Sequence, residues 1–297
     1  MSLLDITVEQ ALANRPGLGA LRVAVEKEIL HQDILRILGD AGFLKGLVFM
    51  GGTCLRLCHG SNRLSEDLDF AGGRGFDRQA VVGLGRAITD GLSRKYGLAV
   101  TVSEPTRESG DTDTWRIRIQ TRPERRDIPA QRINLDICAV PGRDPQPQMI
   151  RDLYGIATGA PGLVLQAESR GEIFVDKLIA FALRRGRIKH RDIWDIGWMV
   201  QQSVKPRMDL LTLKLDDHGS CVDAFLPAFD ERVASLSNPE MASGFRDEMQ
   251  RFLPSAFVAR TVDDPHFWTW MIGVMSEQRV GVRNTLTGAA DPAAFPM

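Results

Sequence analysis

The period of the apolar residues changes once along this chain, near residue 165, and that change limits the folds open to it. Before it, the short apolar run "LVFM" (47–50) and the alternating stretches "DLDF" (67–70), "WRIRIQ" (115–120) and "INLDICAV" (133–140) read as β-strands. Between and before them, "LGALRVAVEKEILHQDILRILGDA" (18–41, ended by Gly42) and "DRQAVVGLGRAITDGLSRKYG" (77–97) repeat apolar residues at three and four, as amphipathic helices do; the second is of the βαβ kind. From Glu168 the strand signal fades, and "ESRGEIFVDKLIAFALRRGRIKHRDIWDIGWMVQQ" reads as two helices separated near Gly186. The rest stays helical. Gly and Pro interrupt the periodicity in "ATGAPGLVLQ" (157–166), so the reading is an α/β domain with N-terminal helices over 1–165 and a helical domain over 166–297. The last residues, "GAADPAAFPM", read as a loose tail.

Composition narrows the function. With a formal net charge of -1 the chain has no global basic field, so a nucleic-acid partner would have to be held by a local patch. The four cysteines show no paired CxxC spacing and read as free thiols of a reducing cytosol. The N-terminal "MSLLDITVEQALANRPG" carries Asp5 and Glu9 and fits neither a signal peptide nor a membrane anchor, and no apolar stretch is long enough to span a bilayer. The expectation is a cytoplasmic protein with no membrane partner. The five histidines lack HExxH spacing, which argues against a zinc enzyme.

The chemistry concentrates in "MGGTCLRLCHGSNRLSEDLDF" (50–70). Gly51 and Gly52 fall at a strand-to-helix turn, where glycine lets backbone N–H groups approach a phosphate and the helix start adds a favourable partial charge. Asp67 and Asp69, two apart on a strand, face one way and can hold one or two Mg²⁺ ions. Hard cations beside a phosphate cradle suit attack of a hydroxyl on a nucleoside triphosphate. Taken singly, a double glycine is an ordinary turn and an Asp-x-Asp an ordinary strand end.

The stretch "GGTCLRLCHGSNRLSEDLDF" resembles the first motif of the nucleotidyltransferase superfamily, and specifically of the AbiEii toxin family, with its GGT, its Arg-x-Ser and its DLDF. "EIFVDKLIAFALRRG" is similar to that family's lysine motif, with Lys177 and a downstream arginine at Arg184 or Arg185. "RDIWDI" is similar to its later Arg-Asp-x-x-Asp motif, and "INLDICAV" stands where its third carboxylate is expected. The resemblance spans residues 45 to 200. It implies a nucleotidyltransferase-like mixed sheet followed by a helical domain that closes over the nucleotide.

Roles follow residue by residue. Gly51, Gly52 and Thr53 would hold the triphosphate, with Thr53 as a plain helix N-cap the other reading. Asp67 and Asp69 would be metal ligands. Asp136 would complete the metal site and accept the proton of the attacking hydroxyl, or else be a strand residue facing water. Lys177 lies on an apolar helix face, where a charge needs a partner such as a triphosphate, or where a lysine snorkels to solvent. Asp192 and Asp195 share a helix face and would position Lys177 or the base, unless they only form an ion pair with Arg191. Ser65 stands two residues before Asp67. Some relatives in the MenT branch are silenced by phosphate on a hydroxyl at that place, and a hydrogen bond within its own loop is the alternative.

The run "RRGRIKHR" (184–191) is either a solvated face or an RNA-backbone contact through Arg184, Arg185, Arg187 and Lys189. "HFWTWM" (266–271) reads as helix core. The function expected is metal-dependent transfer of a nucleoside monophosphate from an NTP to a hydroxyl, with Mg²⁺. The resemblance implies a toxin of a toxin–antitoxin or phage-defence pair, with tRNA as acceptor and a cognate antitoxin as partner. The rival readings are a small-molecule, antibiotic-modifying nucleotidyltransferase and a catalytically silent nucleotide-binding module.

Overall fold

A computed structural model describes residues 2–106, 111–125 and 127–288; most of the tail expected to be loose lies outside the described residues. The chain divides into two compact units, Met1–Ser169 and Arg170–Met297.

Among the described residues the first unit is built on seven strands: β1 (Val48–Met50), β2 (Leu68–Ala71), β3 (Val100–Ser103), β4 (Thr112–Ile119), β5 (Gln131–Cys138), β6 (Pro145–Met149) and β7 (Val164–Glu168). Their order is β3-β4-β5-β2-β1-β7-β6, and the sheet is mixed: β2 runs parallel to β5 and β1 to β7, while the other neighbours are antiparallel. Among the described residues four α-helices accompany it: α1 (Leu3–Asn14), α2 (Arg22–Asp40), α3 (Gly51–Leu57) and α4 (Leu84–Tyr96). The expected α/β unit with a mixed sheet is present.

Alternation sorts the two faces of the sheet. Trp115, Ile117 and Ile119 of β4, Ile133, Leu135 and Ile137 of β5, and Leu68 and Phe70 of β2 are buried, and their sequence neighbours face the other way. A Ser2–Asp5 capping box starts α1, with the Asp5 amide donating to Ser2 Oγ at 3.1 Å. The stretch read as one helix over 77–97 is shorter. Gly83, at φ 88°, resets the backbone, and α4 runs only from Leu84 to a left-handed Gly97. It leads to β3 at the edge of the sheet, where β3 pairs antiparallel with β4, so it is not a crossover between parallel neighbours. Three strands, β3, β6 and β7, went unread in the sequence. "PQPQM" forms β6 because an edge strand tolerates proline, which cannot donate to a ladder. β7 begins inside the segment read as the interdomain boundary.

The second unit is helical: α5 (Arg170–Leu183), α6 (His190–Gln201), α7 (Leu211–Asp217), α8 (Val222–Ser235), α9 (Pro239–Met249), α10 (Ser255–Val258) and α11 (Pro265–Thr287). α5 and α6 are separated around Gly186, which adopts φ 81°. Aromatic rings pin α6, α9 and α11 together: Trp194 lies 5.8 Å from Phe267, and Phe245 lies 5.0 Å from Trp268. Met271 is buried and packs so closely on Gly197 that a Cβ there would meet its Cε at 2.6 Å. Of the "HFWTWM" stretch expected as helix core, only Met271 is buried; Phe267 and Trp268 are half-buried, and His266, Thr269 and Trp270 are exposed.

Candidate active site

β1 ends in a turn that only glycine fits well. Gly51 has φ 76°, and a Cβ at that position would meet Asp69 Oδ2 at 2.8 Å. A Cβ at Gly52 would meet the Arg63 guanidinium at 2.3 Å. The double glycine therefore admits a carboxylate and a guanidinium against the start of α3.

The carboxylates are placed by strand register. Asp69 of β2 is the direct partner of Asp136 on the parallel neighbour β5, and residues so paired project from the same face. Both are half-buried, so Asp136 is not the water-facing strand residue of the alternative reading. Asp67 lies one residue before β2 begins, and its Oδ1 accepts a hydrogen bond of 3.3 Å from the Asn134 amide. Among the described residues no group of three or more His, Cys, Asp or Glu side chains is arranged to hold a metal ion, so the three aspartates do not close a three-carboxylate cage. Mg²⁺ does not require one. It is commonly held by one or two carboxylates together with substrate phosphates, and the all-oxygen pair Asp69/Asp136 fits that chemistry.

Thr53 is not the cap of α3. The helix begins at Gly51 after Met50, so Thr53 already lies inside it, buried. Its hydroxyl donates to the Asp67 carbonyl and shares a hydrogen bond of 2.8 Å with Ser65 Oγ. Ser65 is buried as well, and its amide donates to Glu28 Oε1 at 3.1 Å.

Glu28, fully buried on α2, organises this loop and was invisible to local reading. It takes Arg56 Nε at 3.1 Å and the Tyr154 hydroxyl at 2.5 Å, while Arg56 Nη1 donates to the Ser61 carbonyl at 2.9 Å. Burial pushes the Tyr154 hydroxyl up, and Glu28 pushes it further. Arg63, buried at Gly52, was likewise missed as a site residue, although its Arg-x-Ser spacing with Ser65 was a usable signal.

In the helical unit the motif residues also converge. Lys177 Nζ of α5 lies 2.7 Å from Asp192 Oδ1 and 2.9 Å from Asp195 Oδ2, both carboxylates being buried on one face of α6. Arg184 Nη2 reaches Asp192 Oδ2 at 3.0 Å. Two cations and two carboxylates therefore share one cluster, and Lys177 does not snorkel freely. Arg191 Nε lies 3.2 Å from Glu248 Oε1, and its guanidinium stacks 4.6 Å from the Phe252 ring. Burial, then Arg184 and Arg191, lowers the Lys189 ammonium pKa, and the side chain is half-buried. Of the run 184–191, only Arg185 and Arg187 stand fully open to solvent among its cationic side chains.

A turn-bound double glycine feeding a short helix thus stands beside paired carboxylates on adjacent parallel strands. Solved structures share the fold. MenT4, a nucleotidyltransferase toxin from Mycobacterium tuberculosis H37Rv, superposes with a TM-score of 0.58 at 20% identity, covering 97% of this chain and 99% of its own. A candidate nucleotidyltransferase from H. pylori gives 0.51 at 16% identity, covering 90% of this chain and 98% of its own. JHP933 from Helicobacter pylori gives 0.50 at 16%, covering 89% and 95%. No curated protein matches the sequence. Residues 33–271 match the family described as nucleotidyl transferase AbiEii toxin, type IV TA system, and the chain belongs to that family. Among the described residues no helix is long and apolar enough to cross a membrane, and all four cysteines are free.

Proposed function

We propose that this chain transfers a nucleoside monophosphate from an NTP to a hydroxyl of tRNA, releasing pyrophosphate, as the cytoplasmic toxin of a pair with a cognate antitoxin. The observation that carries the reading is the in-register pair Asp69/Asp136 beside the Gly51–Gly52 turn. Asp69 and Asp136 would hold Mg²⁺ together with phosphate oxygens, with Asp67 contributing from the strand entry. When bound, the ion would neutralise charge on the triphosphate.

The residues then divide the work. The backbone N–H groups of Gly51, Gly52 and Thr53 receive phosphate oxygens; the Thr53 side chain is spent on the Asp67 carbonyl and Ser65. Asp136 takes the proton of the attacking hydroxyl as the new O–Pα bond forms and the bond to the pyrophosphate oxygen breaks. Lys177, oriented by Asp192 and Asp195, is the phosphate-binding cation of the helical unit. Ser65 serves through its loop hydrogen bonds. Arg185 and Arg187 are the members of the basic run available to an RNA backbone, while Arg184 serves Asp192 and Lys189 is half-buried.

The test incubates the full chain with Mg²⁺, each α-labelled NTP in turn, and total RNA. Label should appear on RNA with wild type and be lost with Asp136→Asn. Label on a small hydroxyl compound instead, or on nothing, would overturn the reading.

A further inference from the structure

The face of the sheet that carries Asp69 and Asp136 also carries a ladder of arginines. On β4 and β5 the residues alternating with the buried apolar set are Arg116, Arg118 and Arg132, all exposed. Arg118 stands directly opposite Arg132, and Arg116 opposite Asn134, one side-chain step from the Thr114–Asp136 pair. On the edge strand β3, exposed Thr101 and Ser103 stand opposite Arg118 and Arg116. Same-face neighbours on a strand are about 7 Å apart and adjacent strands about 5 Å, so the three guanidinium groups crowd one small area. Like charges directly opposite across a strand pair destabilise a sheet. Among the described residues none of the three arginines forms an ion pair. A stability role is therefore a poor account of them, and a polyanion is the ligand this face suits.

We infer that Arg116, Arg118 and Arg132 form a backbone-binding track for the acceptor RNA strand, leading its terminal hydroxyl along the open face toward Asp136. The track supplies sequence-independent phosphate contacts, with Thr101 and Ser103 as flanking hydroxyl donors. It uses residues other than the basic run 184–191 and rests on the proposed RNA-directed transfer.

The test compares the full-length chain with the triple variant Arg116→Gln/Arg118→Gln/Arg132→Gln. Binding of labelled single-stranded RNA and of total tRNA is titrated at several salt concentrations, and transfer to RNA is followed at varied RNA and NTP. The triple variant should show a log K against log salt slope flatter by about two, a KM for RNA raised about tenfold, and an unchanged apparent affinity for NTP. Its melting temperature should be no lower than wild type, since the Arg118/Arg132 repulsion is gone. If wild type labels RNA while slopes and KM are the same in both proteins, the track is overturned and the face belongs to solvent or to an acidic protein partner. If wild type labels a small hydroxyl compound and no RNA, the acceptor reading falls, and this inference with it.

Discussion

The two units hold their charged groups by different means. In the sheet unit, Asp69 and Asp136 are set by backbone register, and the main chain would stay in place if either carboxylate were removed. In the helical unit, Lys177, Asp192, Asp195 and Arg184 are set by one another, across two helices and mostly out of water. A register-held site separates activity from stability. A cluster held by buried ion pairs couples them, because removing one member strands its partner's charge.

The largest effect that would break this contrast is expected at Asp195. Asp195→Ala should cost about 3–5 kcal/mol of unfolding free energy, the range for breaking a buried pair, measured by denaturant unfolding. Lys177→Met/Asp195→Leu should recover much of that stability while leaving transfer abolished. An Asp195→Ala variant as stable as wild type would mean the cluster is not what holds α5 to α6.

Next comes Asp69→Asn, which should lower the transfer rate by at least about 10²-fold, the scale of one lost electrostatic contact in a transition state. Its melting temperature should stay near that of wild type. A rate and a melting point that fell together would show that register alone does not hold the sheet site.

The smallest effect concerns His31, fully buried on α2 with Nε2 2.9 Å from the Glu66 carbonyl, in the loop leading to Asp67. Burial, reinforced by Lys27, pushes its pKa down from 6.5 to about 3. Between these values the unfolded chain binds a proton that the folded one refuses. The contribution is therefore complete above the unfolded value and declines as pH falls toward 3, by about 1.4 kcal/mol per pH unit. From pH 7 to 5 the protein should lose on the order of 2 kcal/mol, and His31→Gln should flatten that loss. Identical pH profiles for the two proteins would remove His31 as the acid-sensitive point.

Local pattern made a large part of this legible. The alternation in "INLDICAV" and "DLDF" revealed both the strands and the polar side of each, because a strand turns every second residue outward whatever surrounds it. β6 escaped because two prolines erase the donor pattern, and only its edge position makes them tolerable. Thr53 has the residue type of a cap, yet the helix starts two residues earlier, since Gly51 can take the positive φ that begins it. Glu28 lies 37 residues before the Ser65 amide it accepts from, and no local period reports such a partnership.

By itself, then, the sequence determined four of the strands and the helical character of the second half, the side on which each aspartate projects, and the glycine that the β1 turn demands. These depend on backbone stereochemistry and on spacings of two to four residues. Only the tertiary structure decided that Asp69 meets Asp136, that Glu28 stands behind the Ser65 loop, and that Arg184 and Lys177 are bound to Asp192 while Arg185 and Arg187 remain open. Those outcomes depend on which distant segments pack together. That choice is made by the burial of whole faces and the pairing of buried charges, and neither is written in any single stretch of the chain.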